Sequence, residues 1–448
     1  MNGHRICEDY LPDNAGCVLP AVQFLASSSG RDLLDAVEGF PDPTRIDVAS
    51  IARLRHRWPA QYIHAAATIC GCRRIALAEF GKFPAAHIQT REFWAVPEAL
   101  QQATSLAVAR HKASRFAAAM PGELILDACC SIGGDTLGLA HSGPVVAVEA
   151  DPLRAWLAQC NTRAIKARYP ITVIQADIRQ APVRLHSIAG FHIDPARRNR
   201  GRRSSRYEDM FPGPAIIEML IREIPHGAIK LSPATDFSRL PPGHLELISE
   251  DRVTVQAVLW TGKIAAALTP TARSATVLAS HHLPWSISGL PETITKLFPP
   301  ANWIYEVDGA VIRSGLCPEL LRRVGCGAVT LDGGYITSAD HLTHPALTAF
   351  GVRHVMPYSE RNLRRWLTEN KIHPTSHSGC VEIKTRGGLG LDTDALQRRL
   401  KDFGPWTILI YRAGSGITAA ITQRVSTPPA SDALNLTQRT LPTPLRTV

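Results

Sequence analysis

Several features that would assign the chain to a class of protein are missing from its sequence. No apolar run approaches the roughly 18 residues that a membrane-spanning helix needs, and the first residues lack the basic-then-apolar order of a secretory signal. The ten cysteines show neither CxxC nor CxxxC spacing, which argues against a structural zinc site. Cys70/Cys72 and Cys129/Cys130 lie too close for ordinary disulfides, which indicates a reducing compartment, and we therefore expect a cytoplasmic protein. The missing apolar run and the missing zinc spacing predict no membrane partner and no metal.

The length and composition predict a basic protein of several domains. At about 150 residues per domain, 448 residues correspond to two or three domains. Hydrophobic residues make up 45% of the chain and charged residues 20%, which excludes a disordered or fibrous protein. The 49 basic residues outnumber the 39 acidic ones, so a polyanionic partner is favoured but not identified.

Apolar periodicity separates a helical first part from an alternating second part. Apolar residues recur every three or four positions over 47–57, 60–80 and 97–119, which predicts a helical N-terminal domain over 1–118. Five short apolar runs then follow, each typical of a strand buried on both faces: LILDAC, VVAVEA, ITVIQAD, FHID and AIKLS. Because helical stretches separate these runs, the expected fold class is α/β, with a parallel doubly wound sheet over 119–290. LELISED, VTVQAVLW and ATVLA are interpreted as further strands, with a hairpin as one option for the end of the sheet.

The last third of the chain predicts a separate α+β domain. A linker-like zone at 291–300 is bounded by prolines, and the domain is expected over 301–425. Strands are predicted at 303–307, near 329 and 335, and at 352–356, 381–385, 406–411 and 417–421, with helices at 310–324, 360–370 and 393–401. The tail over 426–448 is rich in Thr, Pro and Ser, so we expect it to be disordered.

The stretch LILDACCSIGGDTLGLA, residues 124–140, predicts a nucleotide-type site. Asp127 ends a strand, a turn of small residues follows, and a helix starts near Asp135, which brings backbone amides close to a ligand. The pair Gly133-Gly134 in place of GxGxxG, together with an acid at Glu149, favours S-adenosylmethionine over NAD. A carboxylate at the end of the second strand has two oxygens, which can accept both ribose hydroxyls.

This stretch resembles the class I S-adenosylmethionine-dependent methyltransferases. Over residues 45–425 the chain resembles bacterial members with a helical N-terminal part and a C-terminal THUMP-like domain, and the matching pieces include QATSLAVARHKASRF, VEADP, QADIR, IDPARRNRGRR, KLSP, AVLWTG and YEVDGAVIRSGL. The resemblance implies a Rossmann-like doubly wound core and S-adenosyl-L-methionine as cofactor. The first turn is most similar to that of guanine-N2 methyltransferases, although Ser131 stands where the family usually has the first glycine.

The resemblance also implies the residues that hold the donor. It assigns the methionine end of the donor to four positions: Asp127, Cys129, Gly133 and Gly134. Glu149 would hold the ribose, Asp151 would lie nearby, and Asp177 would accept from the adenine amino group. Two alternatives stay open. Cys129 and Cys130 are small enough to be chosen for fit alone, and Asp127 and Glu149 could be loop carboxylates that cap helices.

On the acceptor side, Asp194-Pro195-Ala196-Arg197 ends the fourth predicted strand, where a doubly wound sheet places the reacting group. In amino-group methyltransferases, the related turn accepts hydrogen bonds from an exocyclic amine, and its aromatic residue stacks on the base. Asp194, Pro195 and Arg197 are therefore predicted to be catalytic, with Arg197 in the place of the ring. The KLSP segment has no cysteine that could attack a base, which disfavours covalent carbon methylation.

RRNRGRRSSR, residues 197–206, follows the turn with six arginines in ten positions. Arginine binds phosphate oxygens through two donors, so a clamp on substrate phosphates is predicted for four residues: Arg198, Arg200, Arg202 and Arg203. The alternative is a solvated loop. The favoured interpretation of the whole chain is a methyltransferase that acts on a base nitrogen in RNA. The alternatives are a methyltransferase for a small molecule or protein, an inactive RNA-binding protein of this fold, and, with little support, an NAD-dependent enzyme.

Overall fold

The computed structural model describes residues 18–78, 92–165, 167–180, 182–196, 198–199, 202–203, 205–268, 272–279, 282–370, 380–414 and 416–425. Arg197, Arg200 and the tail over 426–448 lie outside the described residues. The chain divides into two compact units, one formed by Met1–Gly243 with Val258–Thr269 and the other by His244–Ala257 with Pro270–Val448. The domain boundaries given above stay predictions.

The described part of the first unit begins with six helices. They are α1 Leu19–Leu25, α2 Ser28–Glu38, α3 Val48–Arg55, α4 Ala60–Ala78, α5 Pro97–Gln102 and α6 Leu106–Ala119. The helices predicted at 47–57 and 60–80 are confirmed, apart from residues 79 and 80, which the structure does not describe. The single helix predicted over 97–119 is wrong. Ala103 is extended, and the Ser105 side chain accepts a hydrogen bond from the Val108 N–H, so that a new helix begins there.

The helices pack directly against the following α/β elements of the first unit. Fully buried side chains of α2, α4 and α5, among them Leu33, Ile69 and Leu100, form one apolar cluster with Ile132 and Leu137 of the segment after the first strand. The helical part and the turn over residues 129–133, which the sequence predicts as the donor turn, therefore share one core.

The sheet of the first unit has the strand order β3-β2-β1-β4-β7-β9. Its early elements are β1 Ile125–Ala128, α7 Gly134–Leu139, β2 Val145–Glu149, α8 Pro152–Ala164, β3 Ile171–Gln175 and β4 Gly190–Ile193. They are followed by β5 Arg198–Asn199, β6 Arg202–Arg203, α9 Pro214–Glu223, β7 Gly227–Leu231, β8 His244–Glu250, β9 Val253–Thr261 and α10 Gly262–Ala266. Of these, β8 and residues 253–257 of β9 belong to the second unit.

The five neighbouring strands β3, β2, β1, β4 and β7 are parallel to one another, which confirms the α/β fold. The strands β1, β4 and β7 are buried along their whole length, as their apolar runs predict. β3 is different, because it is the edge strand and Thr172 and Gln175 are exposed. The carboxyl ends of β1, β2, β4 and β7 meet at one edge of the sheet.

In the second unit, β8 and the first part of β9 continue in the order β11-β10-β8-β9, with β10 Arg273–Ala279 and β11 His282–Gly289. β10 is parallel to β8 and antiparallel to β11. The apolar pattern did not predict β11, which contains Pro284. A proline has no N–H to donate, and an edge strand tolerates it because one side has no partner.

A seven-stranded mixed sheet of order β13-β14-β12-β15-β18-β17-β16 completes the second unit. Its strands are β12 Trp303–Val307, β13 Gly327–Ala328, β14 Tyr335–Ser338, β15 Leu347–Pro357, β16 Glu382–Arg386, β17 Thr407–Ala413 and β18 Gly416–Arg424. Its helices are α11 Gly309–Ser314, α12 Cys317–Val324, α13 Glu360–Glu369 and α14 Thr393–Leu400.

One prediction for this part of the chain needs correction. The helix predicted over 310–324 is two helices, because Gly315 at φ +76° ends α11 in the left-handed region. The linker-like zone at 291–300 has no helix or strand, but it is anchored within the unit: the Glu292 N–H donates to Gly315 O at 3.0 Å and the Phe298 N–H donates to Ala328 O at 2.8 Å.

Within the described residues, no helix is long and apolar enough to cross a membrane. The same residues contain no group of three or more metal-ligating side chains and no disulfide.

Candidate active site

The turn after β1 has an unusual backbone. Cys129 and Ser131 have φ of 60° and 51°, and Gly133 has φ of 88°. Residues other than glycine rarely adopt this left-handed backbone conformation, and backbone strain of this kind is concentrated at ligand sites. Ser131 is thus held in a conformation that glycine adopts freely, which explains why the resembling proteins usually have glycine there. The Ser131 Oγ is buried and finds no hydrogen-bond partner among the described residues.

Gly134 begins α7 at a close approach of two backbone segments. A Cβ on this residue would lie 3.2 Å from Thr104 O and 3.3 Å from Thr104 N. The missing side chain therefore lets the 103–105 break between α5 and α6 lie against the donor turn.

Glu149 ends β2 and is only 8% exposed. Its Oε2 accepts a hydrogen bond from the Ser131 N–H at 2.8 Å, and its Oε1 accepts one from the Asp151 N–H at 3.0 Å. Burial raises the pKa of Glu149, and these two hydrogen bonds oppose the rise. Each carboxylate oxygen keeps a further lone pair, so the group can still accept ribose hydroxyls. Asp151 caps α8 by accepting from the Arg154 N–H at 2.8 Å.

Asp177 lies after β3 and has a partner that the sequence did not indicate. Arg179 Nε donates to Asp177 Oδ2 at 2.8 Å, and Arg179 Nη2 donates to the same oxygen at 2.5 Å. The hydrogen bonds from Arg179 lower the pKa of Asp177, so its carboxylate is charged at neutral pH. A charged acceptor suits the amino group of adenine.

The two cysteines of the turn are poor nucleophiles. Cys130 is buried and Cys129 is largely covered. Burial raises the pKa of both thiols, and the Glu149 carboxylate adds to the rise at Cys129. The protonated thiol therefore predominates at neutral pH.

A buried network of charged groups runs beneath the turn, and the sequence analysis did not foresee it. Asp127 is fully buried, with Oδ1 accepting from His192 Nδ1 at 2.7 Å and Oδ2 accepting from Thr136 Oγ1 at 2.5 Å. Since a carboxylate only accepts, the His192 proton is assigned to Nδ1, and Nε2 is left to accept from Lys112 Nζ at 3.0 Å.

Lys112 of α6 is fully buried and forms an ion pair with Asp135 of α7. Burial lowers the pKa of Lys112, while Asp135 acts in the opposite direction. Burial alone would raise the pKa of Asp135, but the charges of Lys112 and Lys230, together with the hydrogen bond from Lys112, outweigh it and the pKa falls. The pair is therefore held in its ionised form.

Lys230 of β7 connects this network to the acceptor side. Its Nζ donates to Thr104 Oγ1 at 2.9 Å and to Asp194 Oδ2 at 2.6 Å, while Thr104 Oγ1 donates to Asp135 Oδ2 at 2.7 Å. Lys230 is only 6% exposed. The signal for it was the KLSP piece, where a lysine interrupts an apolar strand, but the sequence could not show its partners.

Asp194 follows β4 with its side chain 26% exposed, and its N–H donates to Ala128 O at 3.2 Å. The acceptor turn thus lies beside the end of β1. Beyond it, the arginine-rich segment forms a two-stranded hairpin in which Arg198 pairs with Arg203 and Asn199 with Arg202. Arg197 and Arg200 are outside the described residues, and the roles predicted for Arg198, Arg202 and Arg203 also stay predictions.

The geometry brings together the first turn, Glu149, Lys230 and Asp194 at one edge of a parallel sheet. A strained turn of small residues, followed by a buried acid at the end of the next strand, is the arrangement that a class I S-adenosylmethionine site requires. The Ser131 Oγ, which has no hydrogen-bond partner among the described residues, and the unused lone pairs of Glu149 could bind the polar groups of S-adenosylmethionine.

Comparison with known proteins agrees with this class. An uncharacterised S-adenosylmethionine-dependent methyltransferase from Mycobacterium tuberculosis strain CDC 1551/Oshkosh is 32% identical over 368 residues, which cover 80% of this chain and 94% of the relative. Its counterpart from strain ATCC 25618/H37Rv matches to the same extent. The chain therefore belongs to the S-adenosylmethionine-dependent methyltransferases, and it uses S-adenosyl-L-methionine. It matches no protein-family model.

A solved structure supports the fold. The crystal structure of a protein described as a methyltransferase candidate, from Porphyromonas gingivalis W83, aligns with a TM-score of 0.65 at 17% identity. The alignment covers 93% of this chain and 100% of the other. At that identity, the likeness concerns the fold alone.

Proposed function

We propose that this methyltransferase methylates a base nitrogen in RNA. The observation that carries the proposal is the position of Asp194, which lies at the end of β4, beside the donor turn, with one oxygen bound by Lys230. The hairpin with Arg198, Arg202 and Arg203 follows directly in the chain.

The donor residues have distinct tasks in this proposal. Glu149 accepts the ribose hydroxyls, Asp151 lies nearby, and Asp177 accepts from the adenine amino group. The methionine end is held by the first turn through Asp127, Cys129, Gly133 and Gly134, where Asp127 acts by fixing the turn, because both of its oxygens have internal partners. The bound donor supplies an electrophilic methyl group.

At the acceptor turn, Asp194 has one carboxylate oxygen bound to Lys230 and the other oxygen left to accept an amine hydrogen. Such a bond orients the nitrogen lone pair and stabilises the positive charge that develops on nitrogen during transfer. Pro195 restricts the backbone of the turn, and Arg197 contacts the base or its phosphate.

RNA docking is assigned to the arginine hairpin and to the C-terminal domain. Arg198, Arg200, Arg202 and Arg203 neutralise phosphates, and the α+β domain over 301–425 is THUMP-like. The net charge of +10 supports a polyanionic substrate. The cysteine spacing supports a cytoplasmic location.

The test uses bulk RNA from cells that lack the protein. Purified protein and S-adenosylmethionine carrying a labelled methyl group are incubated with this RNA, which is then digested, and the nucleosides are analysed by mass. We expect label on one base, and a drop of about 10²–10³ in rate for Asp194→Asn with S-adenosylhomocysteine binding retained. Label in protein or in small molecules, with none in RNA, would overturn the proposal.

A further inference from the structure

Phe211 is an exposed aromatic residue whose backbone pairs with the acceptor turn. The Ala196 N–H donates to Phe211 O at 2.7 Å, and the Phe211 N–H donates to Ala196 O at 2.9 Å. Two short backbone hydrogen bonds therefore fix Phe211 beside the residue that follows Pro195.

The exposure of this ring contrasts with that of its neighbours in the chain. Phe211 is 53% exposed, whereas Met210 is 5% exposed and Pro212 is buried. A single exposed apolar residue is common at a protein surface and needs no explanation by itself. Here the flanking residues anchor the segment, so the ring is held in solvent at a defined place.

The ring also has a charged partner that limits its motion. The Arg179 guanidinium lies 4.8 Å from the centroid of the Phe211 ring. The Arg179 side chain is itself held by three hydrogen bonds to the Asp177 carboxylate. The ring is thus linked through Arg179 to the residue proposed for adenine, while the backbone of Phe211 pairs with the acceptor turn.

We infer that Phe211 is the stacking surface for the planar base that receives the methyl group. The inference rests on the proposed function and narrows the substrate to a heteroaromatic acceptor. An ordered aromatic face next to Ala196, two residues after Asp194, would hold the base in the plane from which its amine reaches the carboxylate. Phe211 lies 14 residues after position 197, so this aromatic group comes from outside the Asp194–Arg197 motif itself.

The experiment compares two RNA strands in the presence of saturating S-adenosylhomocysteine. One is a short single strand with all four bases, and the other is the same strand with abasic sites. We expect the wild-type protein to bind the base-containing strand about tenfold more tightly, Phe211→Leu to lose most of that preference, and Phe211→Trp to keep it.

Phe298→Leu is a matched control. Phe298 is 42% exposed, with the Lys296 ammonium 4.8 Å from its ring centroid, and it belongs to the second unit. Loss of this ring should leave the preference for bases unchanged. An equal loss in both variants would show a general effect of exposed rings and would overturn the inference.

The remaining outcomes separate this inference from the proposed function. If the wild-type protein distinguishes the two strands and Phe211→Leu does so equally well, the role of Phe211 is refuted and the RNA substrate stands. If Phe211→Leu weakens S-adenosylhomocysteine binding but keeps the base preference, the ring serves the donor and the inference also fails. If the wild-type protein shows no base preference, the RNA-base substrate itself is refuted.

Discussion

Lys230 determines what the Asp194 carboxylate can offer to an acceptor. The ammonium lies 2.6 Å from Asp194 Oδ2 in a nearly buried position, where an ion pair is weakly screened. It neutralises part of the Asp194 charge and fixes the plane of the carboxylate. We regard Lys230 as a positioning residue for the proposed reaction.

Replacing Lys230 with Met should therefore lower kcat by about tenfold or more, because an unfixed carboxylate loses its orientation in the transition state. KM for bulk RNA and the affinity for S-adenosylhomocysteine should change little, and Lys230→Arg should restore part of kcat. Lys263→Met, at an exposed lysine of α10, is the control. Steady-state methyl incorporation decides the matter, and an unchanged kcat in Lys230→Met would contradict the assignment.

The buried Lys112–Asp135 ion pair contributes to the free energy of unfolding. Removing one partner of a buried pair leaves an uncompensated charge, so Lys112→Met should cost about 3–5 kcal/mol of unfolding free energy. The double variant Lys112→Met/Asp135→Leu should recover part of that loss. Denaturant unfolding measures both values, and a double variant as unstable as the single one would show that the pair does not act as a unit.

The same pair makes stability depend on pH in one direction. The folded protein lowers the pKa of Asp135 below the ordinary value of 3.8, so its stabilising effect is full above that pH and is lost as the pH falls below it. We expect a smaller acid-induced loss of unfolding free energy in the double variant than in the wild-type protein.

At the scale of elements, local patterns predicted what local forces determine. The apolar runs of β1, β4 and β7 read as buried strands because both faces of these strands are covered. The break at 103–105 was missed because the apolar pattern continues through it, whereas a single Ser105 cap starts the new helix. The buried network was missed because its groups lie on α6, β1, α7, β4 and β7, and only the tertiary fold brings them together.

Gly134 tests how closely the 103–105 break must approach the donor turn. A Cβ would meet Thr104 O at 3.2 Å and push the break away, which also shifts the Thr104 contacts to Asp135 and Lys230. Gly134→Ala should cost about 1–3 kcal/mol of stability and weaken S-adenosylhomocysteine binding. At Gly39, the nearest atoms to an added Cβ lie at 3.5 Å, so Gly39→Ala is the control. Calorimetry that finds equal affinity in both variants would contradict the close-approach argument.

At the scale of the whole molecule, the composition indicated a polyanionic partner but not the surface that binds it. The net charge of +10 is spread over both units, and many arginines are already neutralised by neighbouring acids. Arg322 and Arg323 of α12 pair with Glu319, for example, and Arg399 pairs with Glu360. The net charge therefore overstates the number of arginines that are available to bind phosphates. For this reason, the position of the arginine hairpin after the acceptor turn matters more than the net charge.

Salt dependence of RNA binding tests that position. Each phosphate contact releases counterions, so each lost contact reduces the slope of log K against log salt by about 0.7 for single strands. Replacing Arg198, Arg202 and Arg203 together with Ala should therefore flatten the slope by about two units and weaken binding at low salt. Arg222→Ala should leave the slope unchanged, because this arginine of α9 already pairs with Glu223 at 3.2 Å and belongs to neither proposed docking region. Binding titrations over a series of salt concentrations give both slopes. A triple variant with the wild-type slope would show that the hairpin arginines are solvated in the complex, and phosphate recognition would then have to be sought on other surfaces of the two units.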